Sequence, residues 1–197
     1  MREPDADAGL VSSSQKGDLN AFEMLVQKHE KRMLNIAFRL TGDYDDACEV
    51  VQDAFVSAYR NIKAFRAESK FTTWLTTITV NLSKNRLKQM KSRQGREAFS
   101  IDDPVRTADG QMAVDPPSNE LSVLDKLEQR DVQWKVQDCI KALEPDFREV
   151  LVLRDMQDFS YEEIGSMLKM REGTVKSRLF RAREMVRDCL KRVMGDL

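Results

Sequence analysis

Few side chains of the kinds that build metal centres, disulfide frameworks or catalytic triads are present in this sequence. Among 197 residues there is one histidine, His29, and the three cysteines, Cys48, Cys139 and Cys189, stand far apart without a CxxC pair. Such spacing suggests neither a zinc site nor a disulfide framework, so reduced thiols are expected. His29 lies in the apolar stripe of a predicted helix, which favours a structural imidazole over a general base. We therefore predict no metal, no cofactor, no catalytic residue and no enzyme activity.

Long apolar segments are missing as well. No run approaches the ~20 apolar residues that a membrane span requires. The opening residues, MREPDADAGLVSSSQ, are acidic and polar and lack the apolar stretch of a secretory signal. These absences predict a cytoplasmic chain without membrane insertion of its own, in which residues 1–16 are disordered. The glycine loop GxxxxGKS/T of nucleotide-binding proteins is also absent.

Charge is unevenly distributed along the chain, although the formal net charge is only −1. Residues 60–96 carry a net charge of +9 and residues 165–193 carry +6, whereas residues 97–131 carry −6. Each basic block alone would favour a polyanion. The acidic stretches would keep the whole chain from binding nucleic acid indiscriminately.

Apolar residues recur at helical spacing through most of the sequence and predict an all-α fold. The pattern lapses between Gly95 and Glu120, where prolines and aspartates accumulate without a sustained period. We therefore predict two small helical domains joined by a flexible acidic linker. The expected divisions are a disordered N-terminus (1–16), a first domain (17–94), the linker (95–120) and a second domain (121–197).

The first domain is predicted to contain three helices. One follows Asp18 and ends at Gly42. The second has an acidic exposed side formed by Asp45, Asp46, Glu49, Gln52 and Asp53. A calcium loop in DYDDAC is rejected, because the glycine required at its sixth position is Cys48.

The third helix, FTTWLTTITVNLSKNR, is rich in β-forming threonines, yet its period is helical. Its apolar residues recur at intervals of three and four and are Phe71, Trp74, Leu75, Ile78 and Leu82. The remaining exposed face is predicted to hold Thr77, Asn81, Lys84, Asn85 and Lys88. Aromatic residues beside cations suit unpaired bases, and amide side chains can bond to base edges. Phe71 and Trp74 share the apolar stripe, however, so a core role is the alternative for both.

The second domain is predicted to contain a helix-turn-helix. Ser160 and Glu163 have the spacing of a capping box and open a short helix. A second helix begins near Gly173 or Thr174 and is loaded with arginine. Four residues on its outer face project together and could meet base edges, phosphates or a thymine methyl group: Lys176, Ser177, Phe180 and Arg181.

These features, in this order, resemble the bacterial RNA polymerase sigma factors of the extracytoplasmic-function group in the sigma-70 family. The resemblance spans about Gly17 to Leu190. The stretches that carry it are DYDDACEVVQDAFVSAYRNI, FRAESKFTTWLTTITVNLSKNRLK, LEPDFREVLVLRDMQDFSYEEIGSMLKM and REGTVKSRLFRARE. It implies that the two helical domains are the sigma-two bundle and the sigma-four helix-turn-helix domain.

The resemblance also implies a role for each surface. The segment with Asp45, Asp46, Glu49, Gln52 and Asp53 matches the one that binds the clamp helices of the polymerase's largest subunit. Residues 63–75 match the segment that captures the melted non-template strand, and Asn81 and Asn85 match positions that read the minus-ten element. The expected contacts with single-stranded minus-ten DNA are Lys63, Phe65, Arg66, Ser69, Phe71, Trp74, Asn81, Lys84, Asn85 and Lys88. The expected contacts with minus-thirty-five DNA are Thr174, Lys176, Ser177, Arg178, Phe180, Arg181 and Arg183.

The partners implied by the resemblance are core RNA polymerase, promoter DNA and an anti-sigma factor, which in this group is often membrane-bound. The chain departs from the family pattern at Lys169, where glycine is frequent, and at Gly165, where alanine is frequent. A non-glycine residue with positive φ would cost about 1 kcal/mol. Two other functions remain open: a free-standing helix-turn-helix regulator, and a nucleic-acid enzyme that uses His29.

Overall fold

The computed structural model describes residues 5–97 and 123–195. Within these ranges the chain forms eight α-helices and no β-strand, which confirms the predicted all-α class. The helices are α1 (Ala8–Gln15), α2 (Leu19–Thr41), α3 (Tyr44–Asn61), α4 (Phe71–Glu97), α5 (Val123–Lys141), α6 (Pro145–Leu151), α7 (Tyr161–Leu168) and α8 (Glu172–Met194). A 3₁₀ turn (Ile62–Ala64) follows α3, and a π-helical turn (Val152–Met156) continues α6. Most of the predicted linker, residues 98–120, lies outside the described residues.

Helices α2, α3 and α4 pack against one another because each has an apolar face. Their completely buried residues include Leu25, Met33, Ile36, Phe71 and Leu75. Asp18 caps α2 by accepting hydrogen bonds from two backbone N–H groups, and Gly42 ends the helix with a φ of 75°. Both helix-end predictions are therefore confirmed. In the described part of the chain, no helix combines the length and apolarity needed to cross a membrane.

The threonines of α4 are accommodated because the helix buries them against its neighbours. Thr76, Thr79 and Ser83 are buried. The hydroxyl of Thr79 donates to the carbonyl of Leu75 at 3.0 Å, and that of Ser83 donates to the carbonyl of Thr79 at 2.9 Å. This back-bonding satisfies hydroxyl groups that would otherwise be costly to bury. Packing thus overrides the β preference of these residues, as the apolar period predicts.

The prediction that residues 1–16 are disordered is wrong for the part of that segment that the structure describes. Helix α1 packs on α2 with Val11 buried. The carboxylate of Asp7 lies 2.5 Å from the ammonium of Lys28 and 2.8 Å from Nε2 of His29. His29 is therefore a buried structural imidazole with an anionic partner, as the sequence suggested. Composition misses this anchoring because its partners lie on another helix.

The C-terminal unit has the predicted helix-turn-helix. Ser160 and Glu163 form the reciprocal capping box, and Pro145 occupies the first turn of α6. In the turn, Lys169 adopts a φ of 53°, a left-handed conformation that favours glycine. Gly165 explains how the turn closes, because a Cβ there would lie 2.8 Å from the carbonyl oxygen of Met170. Both departures from the family pattern, Gly165 and Lys169, therefore affect the same turn. Gly165 lets the backbone at Met170 approach α7 closely.

The expectation that the cysteines are reduced is also wrong for two of them. Cys139 of α5 and Cys189 of α8 form a disulfide with a Cα–Cα distance of 5.7 Å, although 50 residues separate them in sequence. Cys48 is a free, half-buried thiol. Because α5 packs on α8, two thiols that are remote in sequence become neighbours in space. No spacing rule for cysteine pairs could have found them.

The two helical units touch through polar contacts made mainly by α2. Arg39 donates to the side-chain oxygen of Gln137 at 2.6 Å, and Arg32 donates to the side-chain oxygen of Gln157 at 3.0 Å. Helix α4 contributes a further ion pair, with 2.8 Å between Lys84 Nζ and Glu149 Oε2. Burial raises the pKa of the Glu149 carboxyl group, and the hydrogen bond from Lys84 opposes this rise.

Candidate nucleic-acid interface

The acidic side of α3 is smaller than predicted. Asp45, Glu49, Gln52 and Asp53 are exposed. Asp46 is buried, and its carboxylate accepts a hydrogen bond from Nε of Arg86 on α4 at 2.6 Å. The same guanidinium lies 2.7 Å from Glu49, and its bond to Asp46 raises the pKa of Arg86. Asp46 therefore fastens α3 to α4, and its predicted place on the exposed acidic side is wrong.

The loop between α3 and α4, residues 62–70, presents polar side chains to solvent. Lys63, Arg66 and Ser69 are exposed. Ala67 adopts a φ of 54°, an uncommon conformation for a residue with a Cβ. The loop thus displays the cations Lys63, Arg66 and Lys70, the carboxylate of Glu68 and the hydroxyl group of Ser69 beside the start of α4. We refer to residues 62–70 as the capture loop.

Three aromatic residues contact one another within the capture loop and the first turn of α4, and they differ in exposure. The rings of Phe65 and Trp74 are half-buried, with centroids 4.8 Å apart. Phe71 is 0 % exposed, so its ring is a core group without surface for a base. Its predicted contact with DNA is therefore wrong, and the core alternative is correct. Phe65 and Trp74 remain as partly accessible rings that could stack on a base.

The outer face of α4 is the polar surface that the sequence predicts. Asn81, Asn85 and Lys88 are exposed. Lys84 is half-buried because of its ion pair with Glu149. Thr77 is also half-buried, and its hydroxyl donates to the carbonyl of Thr73 at 2.9 Å. Two amides and a cation therefore remain available on the exposed face of α4.

Helix α8 presents the second candidate surface. Lys176, Ser177, Phe180 and Arg181 are exposed, and Phe180 has an exposed fraction of 66 %. The opposite face is buried through Val175, Leu179 and Ala182. A large apolar ring in solvent among cations is unusual for a face that serves only to be solvated. Thr174 is half-buried at the start of this face.

Two arginines of α8 in the predicted set are engaged within the domain. Arg178 lies 2.8 Å from the carboxylate of Asp146. Arg183 makes a two-pronged bond to the carboxylate of Asp155, with distances of 2.9 and 2.6 Å. Both pairs join α8 to α6 and the π-helical turn after it. These arginines therefore orient the helix, while Arg181 is directed toward solvent.

Sequence reasoning missed several residues that shape these surfaces. Arg86 appeared only as one cation of a basic block, and Glu149 and Gln15 appeared in no site. A pattern could have exposed Arg86, since it lies between the apolar positions of α4 and faces an acidic neighbouring helix. Glu149 and Gln15 act on residues more than 45 positions away, so local sequence carries no such signal.

Comparison with protein families gives two matches along the chain. A family model described as sigma-70 region 2 matches residues 25–93. A second, described as sigma-70 region 4, matches residues 133–186. The first range covers the helices with the acidic and Asn-bearing surfaces, and the second covers the helix-turn-helix.

Full-length relatives give the same assignment. The sigma-E factor of Haemophilus influenzae, an extracytoplasmic-function (ECF) sigma factor, is 35 % identical over 98 % of this chain and 100 % of its own length. The ECF sigma-E factor of Escherichia coli K12 is 37 % identical over 94 % of this chain and 95 % of its own. The sigma-H factor of Pseudomonas aeruginosa is 33 % identical, with 100 % of both chains covered.

Solved structures share the fold. CnrH in complex with the cytosolic domain of CnrY aligns with a TM-score of 0.67 and 23 % identity over 95 % of this chain and 99 % of that one. The sigma factor RpoE of Bartonella quintana, in complex with the anti-sigma factor NepR, aligns with a TM-score of 0.65 and 24 % identity over 88 % and 98 % of the two chains. The two family models and the full-length relatives show that the chain belongs to the extracytoplasmic-function sigma factors, the subunits that direct RNA polymerase to promoters.

Proposed function

We propose that this sigma factor reads a promoter with two separate surfaces, one for melted minus-ten DNA and one for duplex minus-thirty-five DNA. The observation that carries the proposal is the pairing of two exposed polar faces on different helical units. These faces are Asn81, Asn85 and Lys88 on α4, and Lys176, Ser177, Phe180 and Arg181 on α8. A regulator that used only the helix-turn-helix would leave the first face without a purpose.

The chemistry of α8 suits the major groove. Arg181 and Lys176 can donate to the acceptors of guanine or to phosphates, and Ser177 can donate or accept. The exposed ring of Phe180 can contact a thymine methyl group. Each specific contact of this kind discriminates against the wrong base by about 1–3 kcal/mol. The ion pairs of Arg178 and Arg183 fix the angle at which α8 would enter the groove.

The chemistry of α4 and the capture loop suits unstacked bases. Asn81 and Asn85 can bond to base edges that become accessible only when the strands separate. Lys63, Arg66 and Lys88 can neutralise phosphates, and Ser69 can bond to a base or phosphate. The rings of Phe65 and Trp74 offer a stacking surface at about 1–3 kcal/mol per base. Because these contacts require a melted strand, they would favour promoter opening.

The exposed acidic side of α3 is the proposed contact with core RNA polymerase. Asp45, Glu49, Gln52 and Asp53 form it, without Asp46. We infer that these residues bind the clamp helices of the largest polymerase subunit in the cytoplasm, and that the polymerase performs all of the chemistry. We also infer control by an anti-sigma factor, because the aligned sigma factor RpoE of Bartonella quintana is in complex with the anti-sigma factor NepR.

Run-off transcription with core RNA polymerase tests the proposal on a promoter identified by holoenzyme-dependent transcription. Asn81→Ala combined with Asn85→Ala is expected to lower initiation on duplex template by about 10-fold or more. The loss should be smaller on a template premelted at the minus-ten element. Asn20→Ala is the matched control, since Asn20 is an exposed asparagine in the first turn of α2 and belongs to neither proposed DNA surface.

The minus-thirty-five surface is tested separately. Phe180→Ala is expected to weaken holoenzyme binding to the upstream duplex about 5- to 50-fold. Met185→Ala, which alters another exposed apolar residue of α8, should have little effect. Tight binding to duplex DNA by the chain alone, with transcription independent of its addition, would instead favour the free-standing regulator.

A further inference from the structure

The segment before α2 holds both ends of the capture loop. The side-chain amide of Gln15 donates one hydrogen bond to the carbonyl of Ile62 at 3.0 Å and another to the carbonyl of Phe65 at 2.8 Å. A carboxamide has only two N–H donors, so both serve the loop. Gln15 lies about a quarter of the chain away from these carbonyls in sequence. Its bonds fix the place where the chain leaves α3 and enters the loop.

The other end of the loop is held by Asp5. Its Oδ2 accepts a hydrogen bond from the backbone N–H of Phe71, the first residue of α4, at 2.7 Å. The first N–H groups of a helix have no partner within the helix, and a nearby carboxylate also complements the helix dipole. Asp5 therefore caps α4 from outside, where the residue before the helix, Lys70, is not of a capping type.

The segment that holds the capture loop, residues 5–15, is itself anchored to α2. Asp7 forms an ion pair with Lys28 and a hydrogen bond with the imidazole of His29 on α2, and Val11 is buried. Asp5 is tied to this anchor, because its Oδ1 accepts from the backbone N–H of Asp7 at 3.1 Å. These contacts thus hold the capture loop at a fixed position relative to α2. The loop needs such support, because Ala67 is held at a φ of 54°, a conformation that costs about 1–2 kcal/mol for a residue with a Cβ.

We propose that Gln15 and Asp5 are positioning residues for capture of the melted strand. They touch no DNA themselves. They hold Lys63, Arg66 and Ser69, together with the first turn of α4, in the arrangement that an unstacked base would meet. This inference rests on the proposed role of the capture loop, and it assigns to the N-terminal segment a part in promoter opening that the composition of that segment does not suggest.

The test measures binding of a fluorescent single-stranded minus-ten oligonucleotide to the complete holoenzyme. Gln15→Met keeps the length of the side chain but removes both donors, and it is expected to weaken binding about 5- to 30-fold. Gln15→Glu should weaken binding more than Gln15→Met does, because it places a negative charge against two carbonyl oxygens. Asp5→Ala should weaken binding as well, and Asp5→Asn should restore part of the loss because asparagine also caps helices.

Matched controls separate positioning from a general loss of structure. Gln27→Met removes an exposed glutamine of α2 that bonds only within its own helix, and it should leave binding unchanged. Holoenzyme binding to a minus-thirty-five duplex should also be unaffected by Gln15→Met. If Gln15→Met weakens the duplex and the single strand equally, or lowers the thermal midpoint of the chain enough to explain the loss, the positioning role is overturned.

Asn81→Ala distinguishes failure of this inference from failure of the proposed function. If Asn81→Ala weakens binding of the single strand and Gln15→Met does not, the positioning role of Gln15 is refuted while strand capture by α4 stands. If neither change weakens binding, strand capture by this surface is wrong, and the positioning role is refuted with it. If both variants weaken binding of the single strand but not of the minus-thirty-five duplex, the result supports both strand capture by α4 and the positioning role of Gln15.

Discussion

Breaking the disulfide between Cys139 and Cys189 should strongly destabilise the C-terminal unit. The bond closes a loop across a sequence separation of 50 residues. In the chain-entropy account, a crosslink over about 50 residues removes enough freedom from the unfolded chain to contribute about 4 kcal/mol. Whole domains are stable by only about 5–15 kcal/mol. A single covalent bond would therefore supply a large share of the stability of this small unit.

The assay is urea unfolding of the oxidised and reduced chain. Trp134 lies on α5 of the C-terminal unit and Trp74 lies on α4 of the N-terminal unit. Substituting Trp74→Phe leaves a fluorescence signal from the C-terminal unit alone. Dithiothreitol, or the double change Cys139→Ser and Cys189→Ser, is expected to lower the midpoint by about 2–4 M urea, given a slope of about 1–2 kcal/mol per M for a small domain.

Cys48→Ser serves as the control, because Cys48 is a free thiol outside the bond. It should leave both the midpoint and its response to reductant unchanged. Thiol titration of the denatured, unreduced chain should find one free thiol. Three free thiols after mild oxidation, or identical unfolding with and without reductant, would refute the reasoning.

Three further predictions concern the turn and the N-terminal anchor. Lys169→Gly should raise the free energy of unfolding by about 0.5–1 kcal/mol, because glycine adopts positive φ without a Cβ penalty; an unchanged urea midpoint would contradict this. Gly165→Ala should cost about 1–3 kcal/mol, since its Cβ would lie 2.8 Å from the carbonyl oxygen of Met170; wild-type stability would show that the turn is not tight. Asp7→Asn should cost about 1.5–3 kcal/mol near pH 7. Burial raises the pKa of Asp7, but Lys28 and His29 lower it overall below its ordinary value of 3.8. The contribution of Asp7 to stability is therefore complete well above pH 3.8 and is lost as the pH falls through the lowered pKa of the folded chain, so the free energies of unfolding of the two proteins should converge below that pKa. A difference that does not depend on pH would contradict the ion-pair account.

The helices could be predicted from the sequence because their signals are local. The apolar period of α4 outweighed the β preference of its threonines, and Ser160, Pro145 and Gly42 marked helix ends by rules that involve only neighbouring residues. The exposed faces of α4 and α8 followed from the same periods. Lys169 was recognised as the residue in the left-handed position from the family pattern alone.

The errors concern interactions between residues far apart in sequence. Asp46 has the same local pattern as its exposed neighbours and differs only because Arg86 faces it from α4. Cys139 and Cys189 are adjacent only after α5 packs on α8. The polar N-terminal segment becomes ordered because Asp7 finds the ammonium of Lys28 and the imidazole of His29 on α2. Composition and spacing describe what a segment could do alone, and these features depend on its partners.

Under the proposed contact of Lys84 with minus-ten DNA, its ion pair with Glu149 would give the free chain an internal competitor for that DNA. Lys84 lies beside Asn81 and Asn85 on α4, and its ammonium is held 2.8 Å from a buried carboxylate of the other helical unit, away from a phosphate that binds the exposed face of α4 alone. Every factor of ten by which this ion-paired arrangement is favoured over the separated one would lower the apparent DNA affinity of the chain by the same factor. Under that role, a partner that separates the two units would raise DNA affinity without touching DNA. Selectivity for polymerase-bound promoters would then follow from this thermodynamic coupling, with no added contact to the bases.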